Sequence, residues 1–100
     1  MYTAMRPMFV YILASDRHGT LYVGVTNDLQ RRLQQHREGV NAGFTKKYRV
    51  HRLVHYEIRE SPADAIMREK QIKNWHRDWK INLIEQDNPD WNELPAPMAF

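Results

Sequence analysis

Hydrophobic and polar positions alternate twice near the start of the chain and then change to a helical spacing. Phe9, Tyr11 and Leu13 fall on one face of a first strand, and Thr20, Tyr22 and Gly24 on one face of a second. Ser15 to His18, with Gly19 behind, predicts the turn between them, and the simplest antiparallel register sets Tyr11 across from Tyr22. Gly24 leaves bare backbone beside that pair, as close approach of a phosphate or another strand requires. A helix follows, with Asn27 expected as its cap, Gln30 completing a capping box and Gly39 as its stop. At about 3.6 residues per turn, Leu29 and Leu33 mark its buried stripe. Arg32 and His36, one turn apart, lie beside that stripe and are aimed toward the sheet that carries the tyrosines. Charge is rarely spent in such a place.

Glu38 to Tyr48 reads as a loop with a basic tip. Val50 to Ile58 is a β-branched and aromatic run, a third strand in which Val54, Tyr56 and Ile58 are expected to share a face. Ser61, Pro62 and Asp64 then signal a helix start. Ala65, Ile66 and Ile72 define its inward arc and Glu69 falls inside that arc, where a carboxylate needs a basic side chain or a metal ion to meet it. Ile72, Trp75, Trp79 and Leu83 continue as an apolar stripe at helical spacing, expected to be a core seam of one long helix. Stacking of the tryptophans on unpaired bases is the weaker alternative. Asn88 to Trp91 predicts a turn, and Pro95 begins a tail expected to be loose, like Met1 to Pro7. These elements make an α+β fold, a small three-stranded antiparallel sheet flanked by helices, in one domain over residues 8–94 with flexible termini at 1–7 and 95–100.

Composition narrows the partners. The net charge of +3 conceals a split: residues 1 to 83 hold all 15 Lys and Arg against 8 Asp and Glu, while Ile84 to Phe100 hold none against 4. A basic body favours a polyanion such as nucleic acid. Lys46, Lys47 and Arg49 are the candidate contacts to backbone phosphates. The chain has no cysteine, which excludes disulfides and thiolate metal sites. Zinc ligation by His51, His55 and His76 lacks a suitable spacing, so these are read as surface or packing histidines. The sequence has neither a signal-peptide plan nor a run of about 20 apolar residues, so no membrane association and a cytoplasmic location are expected.

The order Val10-Tyr11-Ile12, Tyr22-Val23-Gly24, Arg32 and His36 resembles the GIY-YIG nuclease module. The resemblance continues through Phe44 to Tyr48, Leu53 to Glu57, Arg68 to Trp75 and Asn88 to Trp91, and within the superfamily it is nearest to the small bacterial proteins in which the module stands alone. Phe9 and Val10 depart from the name-giving motif; the tyrosine is kept.

The resemblance implies a metal-dependent DNA endonuclease. One small domain has little surface with which to read a long duplex sequence, so single-stranded, branched or damaged DNA in repair or recombination is the expected substrate, and a monomer or weak homodimer the expected state. Tyr11 would be the general base toward water, His36 would accept its proton and Tyr22 would position or assist the nucleophile. The sequence does not distinguish the two tyrosines as base, and Tyr11 is assigned. Arg32 would stabilise developing negative charge, and Glu69 would hold one Mg²⁺ or Mn²⁺. A late asparagine of the family falls on Asn88 or, by another spacing, Asn82; Asn88 is taken. The rival reading is a nucleic-acid-binding repair accessory with little or no cleavage, which an intact catalytic set disfavours.

Overall fold

The computed structural model describes residues 7–39 and 47–98. Its elements are β1 (Met8–Ala14), β2 (Leu21–Thr26), α1 (Leu29–Glu38), β3 (Arg52–Arg59), α2 (Pro62–Asn74) and α3 (Arg77–Asp87). The three strands form one antiparallel sheet in the order β2-β1-β3. The unbroken apolar run of β1 suits its central position, where every residue from Phe9 to Ala14 is buried. Phe9, Tyr11 and Leu13 join Leu29 and Leu33 of α1 in one core. Val10, Ile12 and Ala14 join Ala65, Ile72, Ile84 and Trp91 in the other. The sheet is therefore sandwiched between α1 and the α2–α3 pair.

The β1–β2 register differs from the simplest one by two residues: Tyr11 faces Gly24, and Leu13 faces Tyr22. The cause is a longer turn, closed by Ser15 N–H to Thr20 O at 3.0 Å and Thr20 N–H to Ser15 Oγ at 2.9 Å. A two-residue shift preserves facing, so both tyrosines still share a face. On β3 the partner changes from His55 opposite Ile12 to Leu53 opposite Leu13, which leaves Val54 as a bulge residue. Val54 consequently enters the α2–α3 core while Tyr56 packs on the Tyr11 side, and the single face expected for Val54, Tyr56 and Ile58 is split.

Asp28, rather than Asn27, caps α1: its Oδ1 accepts from Arg31 N–H at 3.2 Å. Gly39 ends the helix in the left-handed region at φ 70°, as expected of a terminal glycine. Ser61 caps α2 by accepting from Asp64 N–H at 3.1 Å. Ala65 and Ile72 face inward there, whereas Ile66 is exposed. The expected long helix breaks, because Trp75 and His76 are both extended, and α3 restarts at Arg77. Arg77 Nη2 donates to the turn carbonyls of His18 at 2.7 Å and Gly19 at 2.6 Å, an anchor that helical spacing cannot reveal. The stripe is thus no continuous seam, and Trp79 stands 56% exposed.

The link between α2 and β3 is ionic. The Glu57 carboxylate accepts from His55 Nε2 at 2.8 Å, Arg59 Nη2 at 2.7 Å, and Arg68 Nε and Nη2 at 2.8 and 3.0 Å. The segment after α3 returns to the other face of the sheet. Leu94 N–H donates to Leu53 O at 2.8 Å, Glu93 pairs with Arg37 at 2.6 Å, and Gln30 Nε2 reaches Ala96 O at 3.4 Å. Leu94 to Ala96 therefore lie against α1, where the sequence predicts a loose tail from Pro95.

Candidate active site

Tyr11 projects from the centre of β1 into the layer between sheet and α1, and His36 comes down from the last turn of that helix to meet it. The Tyr11 hydroxyl and His36 Nε2 are 3.1 Å apart. Leu29 and Leu33 fix the helix by their burial, and the one-turn spacing from Arg32 to His36 brings both polar side chains to its inner edge. Tyr22 closes the group: its ring centroid lies 5.2 Å from that of His36 and 6.3 Å from that of Tyr11. Tyr11 is wholly buried, His36 nearly so, and Tyr22 and Arg32 are half-buried. A polar cleft of about 240 Å³ at the start of α1, lined by Thr26, Asn27, Asp28, Arg31, Arg32 and Gln35, opens the guanidinium side of the site to solvent.

Gly24 has a different use from the one its bare backbone suggests. A Cβ there would stand 2.5 Å from Cζ and 2.9 Å from Cε1 of Tyr11, so the space above Gly24 is taken by the phenol itself. Gly24→Ala is expected to expel that ring, with an overpacking loss of about 1–3 kcal/mol and loss of any activity that needs Tyr11. Thermal unfolding beside a cleavage assay checks both.

The electrostatics set the protonation states. Burial, and then the neighbouring Tyr22, push the Tyr11 phenol well above its ordinary range, with the Arg32 guanidinium offsetting part of the rise. Burial, then the charges of Arg32 and His51, lower His36 below its ordinary value of 6.5. At neutral pH the pair is therefore a neutral phenol and a neutral imidazole. With the ring proton on Nδ1, Nε2 is the acceptor and the Tyr11 hydroxyl donates to it.

Other expected residues stand apart from this cluster. Glu69 lies on α2, on the opposite side of the sheet, with its carboxylate 3.2 Å from Lys73 Nζ one turn on. A basic side chain thus meets it, as its inward position requires. Asn88 is buried at the end of α3. Its Nδ2 donates to Val54 O at 3.1 Å and Asn92 O at 2.9 Å, and its Oδ1 accepts from Asn92 N–H at 3.0 Å, so the amide is used in the turn. Asn82 is exposed on α3. Lys47 and Arg49 are exposed and Lys47 Nζ lies 5.4 Å from the Tyr48 ring centroid, whereas Lys46 falls outside the described residues. Sequence reasoning missed His51, whose buried Nδ1 has no hydrogen-bond partner among the described residues and whose charge acts on His36. Its position just before β3 carries no local signal of that contact.

The fold places the chain in a nuclease family. A family model described as the GIY-YIG catalytic domain matches residues 7–82, and the chain belongs to the GIY-YIG family. Among its relatives, the UPF0213 protein of Syntrophus aciditrophicus (strain SB) is 43% identical over 88 residues, spanning 86% of this chain and 98% of that one. The UPF0213 protein of Staphylococcus aureus (strain Mu3 / ATCC 700698) is 39% identical over 79 residues, spanning 78% and 94%. The fold is similar to the solution NMR structure of a UPF0213 protein from Bacillus halodurans, with a TM-score of 0.55 and 29% identity over 87% of this chain and 92% of that one. Among the described residues no helix is long and apolar enough to cross a membrane.

Proposed function

We propose that the protein is a metal-dependent endonuclease that hydrolyses DNA phosphodiester bonds, with single-stranded, branched or damaged DNA as its substrate class and repair or recombination as its setting. The observation that carries this reading is the buried Tyr11 hydroxyl held 3.1 Å from His36 Nε2, beside Tyr22 and an arginine that opens to solvent. A phenol whose pKa is raised by burial is a poor base alone. Coupled to a neutral imidazole, it can relay a proton: as the water oxygen bonds to phosphorus and the P–O bond to the leaving group breaks, the water proton passes to the Tyr11 oxygen and the phenolic proton to His36 Nε2. Tyr22 orients the water, and the planar fork of Arg32 holds the phosphoryl oxygens. Lys46, Lys47 and Arg49 are assigned to flanking phosphates.

Glu69 fits a single hard cation. Its carboxylate is 14% exposed and pairs with a half-exposed lysine, and Mg²⁺ is commonly held by one or two carboxylates with water and substrate phosphate completing its shell. Among the described residues no group of three or more His, Asp or Glu side chains forms a self-sufficient metal site, so a site completed by the substrate suits this chain. Glu69 would hold Mg²⁺ or Mn²⁺ on the α2 side of the sheet, where the ion would neutralise charge on a phosphate of the bound strand rather than at the Tyr11–His36 pair. The deciding experiment presents single-stranded, duplex and forked DNA, with single-stranded RNA alongside, to the purified chain in Mg²⁺ and in EDTA. Cutting of DNA in Mg²⁺ that EDTA and Glu69→Ala abolish supports the proposal. Binding to DNA without cutting in Mg²⁺ overturns it in favour of an accessory module.

The lowered pKa of His36 fixes the acid limb of the activity. The imidazole must be neutral to accept the phenolic proton, and it protonates only below its ordinary value of 6.5. Cleavage is expected to persist as the pH falls through 6.5 and to decline below it. A single-turnover pH profile checks this, and a midpoint above 6.5 contradicts it.

A further inference from the structure

The helix break at Trp75 and His76 creates an aromatic surface that the tyrosine site does not use. Trp79 is 56% exposed and lies outside the hydrophobic core, while Trp75 is half-buried with one edge against that core. The two indoles meet edge to face at 5.9 Å, and the His76 ring stands 6.4 Å from Trp79. With Asn82, Leu83 and Gln86 the two indoles line a recess of about 290 Å³ along α3. The Arg68 guanidinium lies 5.1 Å from the Trp75 ring centroid. From Lys70 to Asn82 the chain carries four Lys or Arg against Asp78 alone.

We infer that this recess is a second nucleic-acid site that stacks an unpaired base of a single strand on Trp79. Three features favour that occupant. An exposed indole offers a π-face that any base can cover, and the net positive charge of the segment that carries it suits a phosphate backbone. The amides of Asn82 and Gln86 at the rim offer both donors and acceptors to a base edge. A second copy of the chain seated here through a two-fold axis would instead set this cationic segment against itself. Duplex DNA hides its base faces and gains nothing from the indole. The inference rests on the nuclease reading and deepens it by naming unpaired DNA as what the chain holds on the face of the sheet opposite its reaction centre.

The test separates binding from cleavage by working in EDTA. Anisotropy of a fluorescein-labelled dT16 strand is read against the full-length chain and its Trp79→Ala and Trp79→Phe variants, with a labelled duplex of equal length in parallel. Trp79 is exposed, so truncation removes no core contact, and circular dichroism verifies the fold. The expected result is roughly tenfold weaker dT16 binding for Trp79→Ala, recovery of most of it by Trp79→Phe, and unchanged duplex binding. Equal dT16 affinity in all three proteins overturns the inference. So does an equal loss on duplex, or a change of sedimentation mass in Trp79→Ala, which would assign the surface to self-association. None of these outcomes depends on whether the chain cuts, so failure of the nuclease reading remains distinguishable.

Discussion

Tyr11→Phe is expected to lower single-turnover DNA cleavage by about 10²–10⁴-fold while leaving the fold intact. The ring is wholly buried against Gly24 and α1, and phenylalanine keeps all of that packing. The loss is confined to one hydroxyl, whose partner His36 Nε2 lies 3.1 Å away. Without it, the assigned path from the attacking water to the imidazole is broken. The neighbouring Tyr22 stands on another strand, opposite Leu13 rather than Tyr11, and is assigned to orient the water. Burst kinetics with saturating protein and unchanged DNA affinity would locate the effect in the chemical step. A variant that cuts at the parent rate contradicts the assignment of Tyr11 and transfers the role of base to Tyr22.

The largest effect on stability is expected at Glu57. Its carboxylate is 15% exposed and receives His55, Arg59 and both nitrogens of the Arg68 fork. Burial opposes its ionisation, but the hydrogen bonds from His55, Arg68 and Arg59 outweigh that and hold the carboxyl far below the ordinary range. Glu57→Ala leaves the Arg68 and Arg59 charges half-buried without their anion. The expected cost is about 3–5 kcal/mol, seen as a fall in Tm. The pH dependence has a fixed sign: a carboxylate with a depressed folded pKa contributes stability above its unfolded value and loses it as pH falls toward the folded one. In chemical denaturation, the gap between parent and Glu57→Ala should be full at pH 7 and shrink below about pH 4.5. A gap that persists undiminished in strong acid would show the loss to be packing alone.

Alternation and helix signals made most of the scaffold legible. They located all three strands, the start of α2 at Ser61, the stop of α1 at Gly39, and the meeting of Tyr11, Tyr22, Arg32 and His36. What escaped has a common physical basis: each feature depends on contacts remote in sequence or on one inserted residue. A turn two residues longer than the simplest slid Tyr22 away from direct opposition to Tyr11. The Val54 bulge exchanged the faces of β3 partway along. The helix break at Trp75 goes with anchors from Arg77 to the first turn, 58 and 59 residues away. Trp91, read only as part of a turn, is fully buried in the core and donates to Glu85 at 2.7 Å. The carboxylate of Glu57 was invisible as a hub because its partners come from β3 and α2 together.

The central claim is that Tyr11 and His36 act as one proton relay in phosphodiester hydrolysis. A double-mutant cycle tests it most directly: single-turnover cleavage of the preferred DNA in Mg²⁺ by the parent, Tyr11→Phe, His36→Gln and the double variant. Residues that act as a unit are non-additive. The account predicts that each single variant loses most of the rate and that the double variant is no slower than the worse of the two. Losses that multiply in the double variant, or single variants that cut at the parent rate, would contradict it.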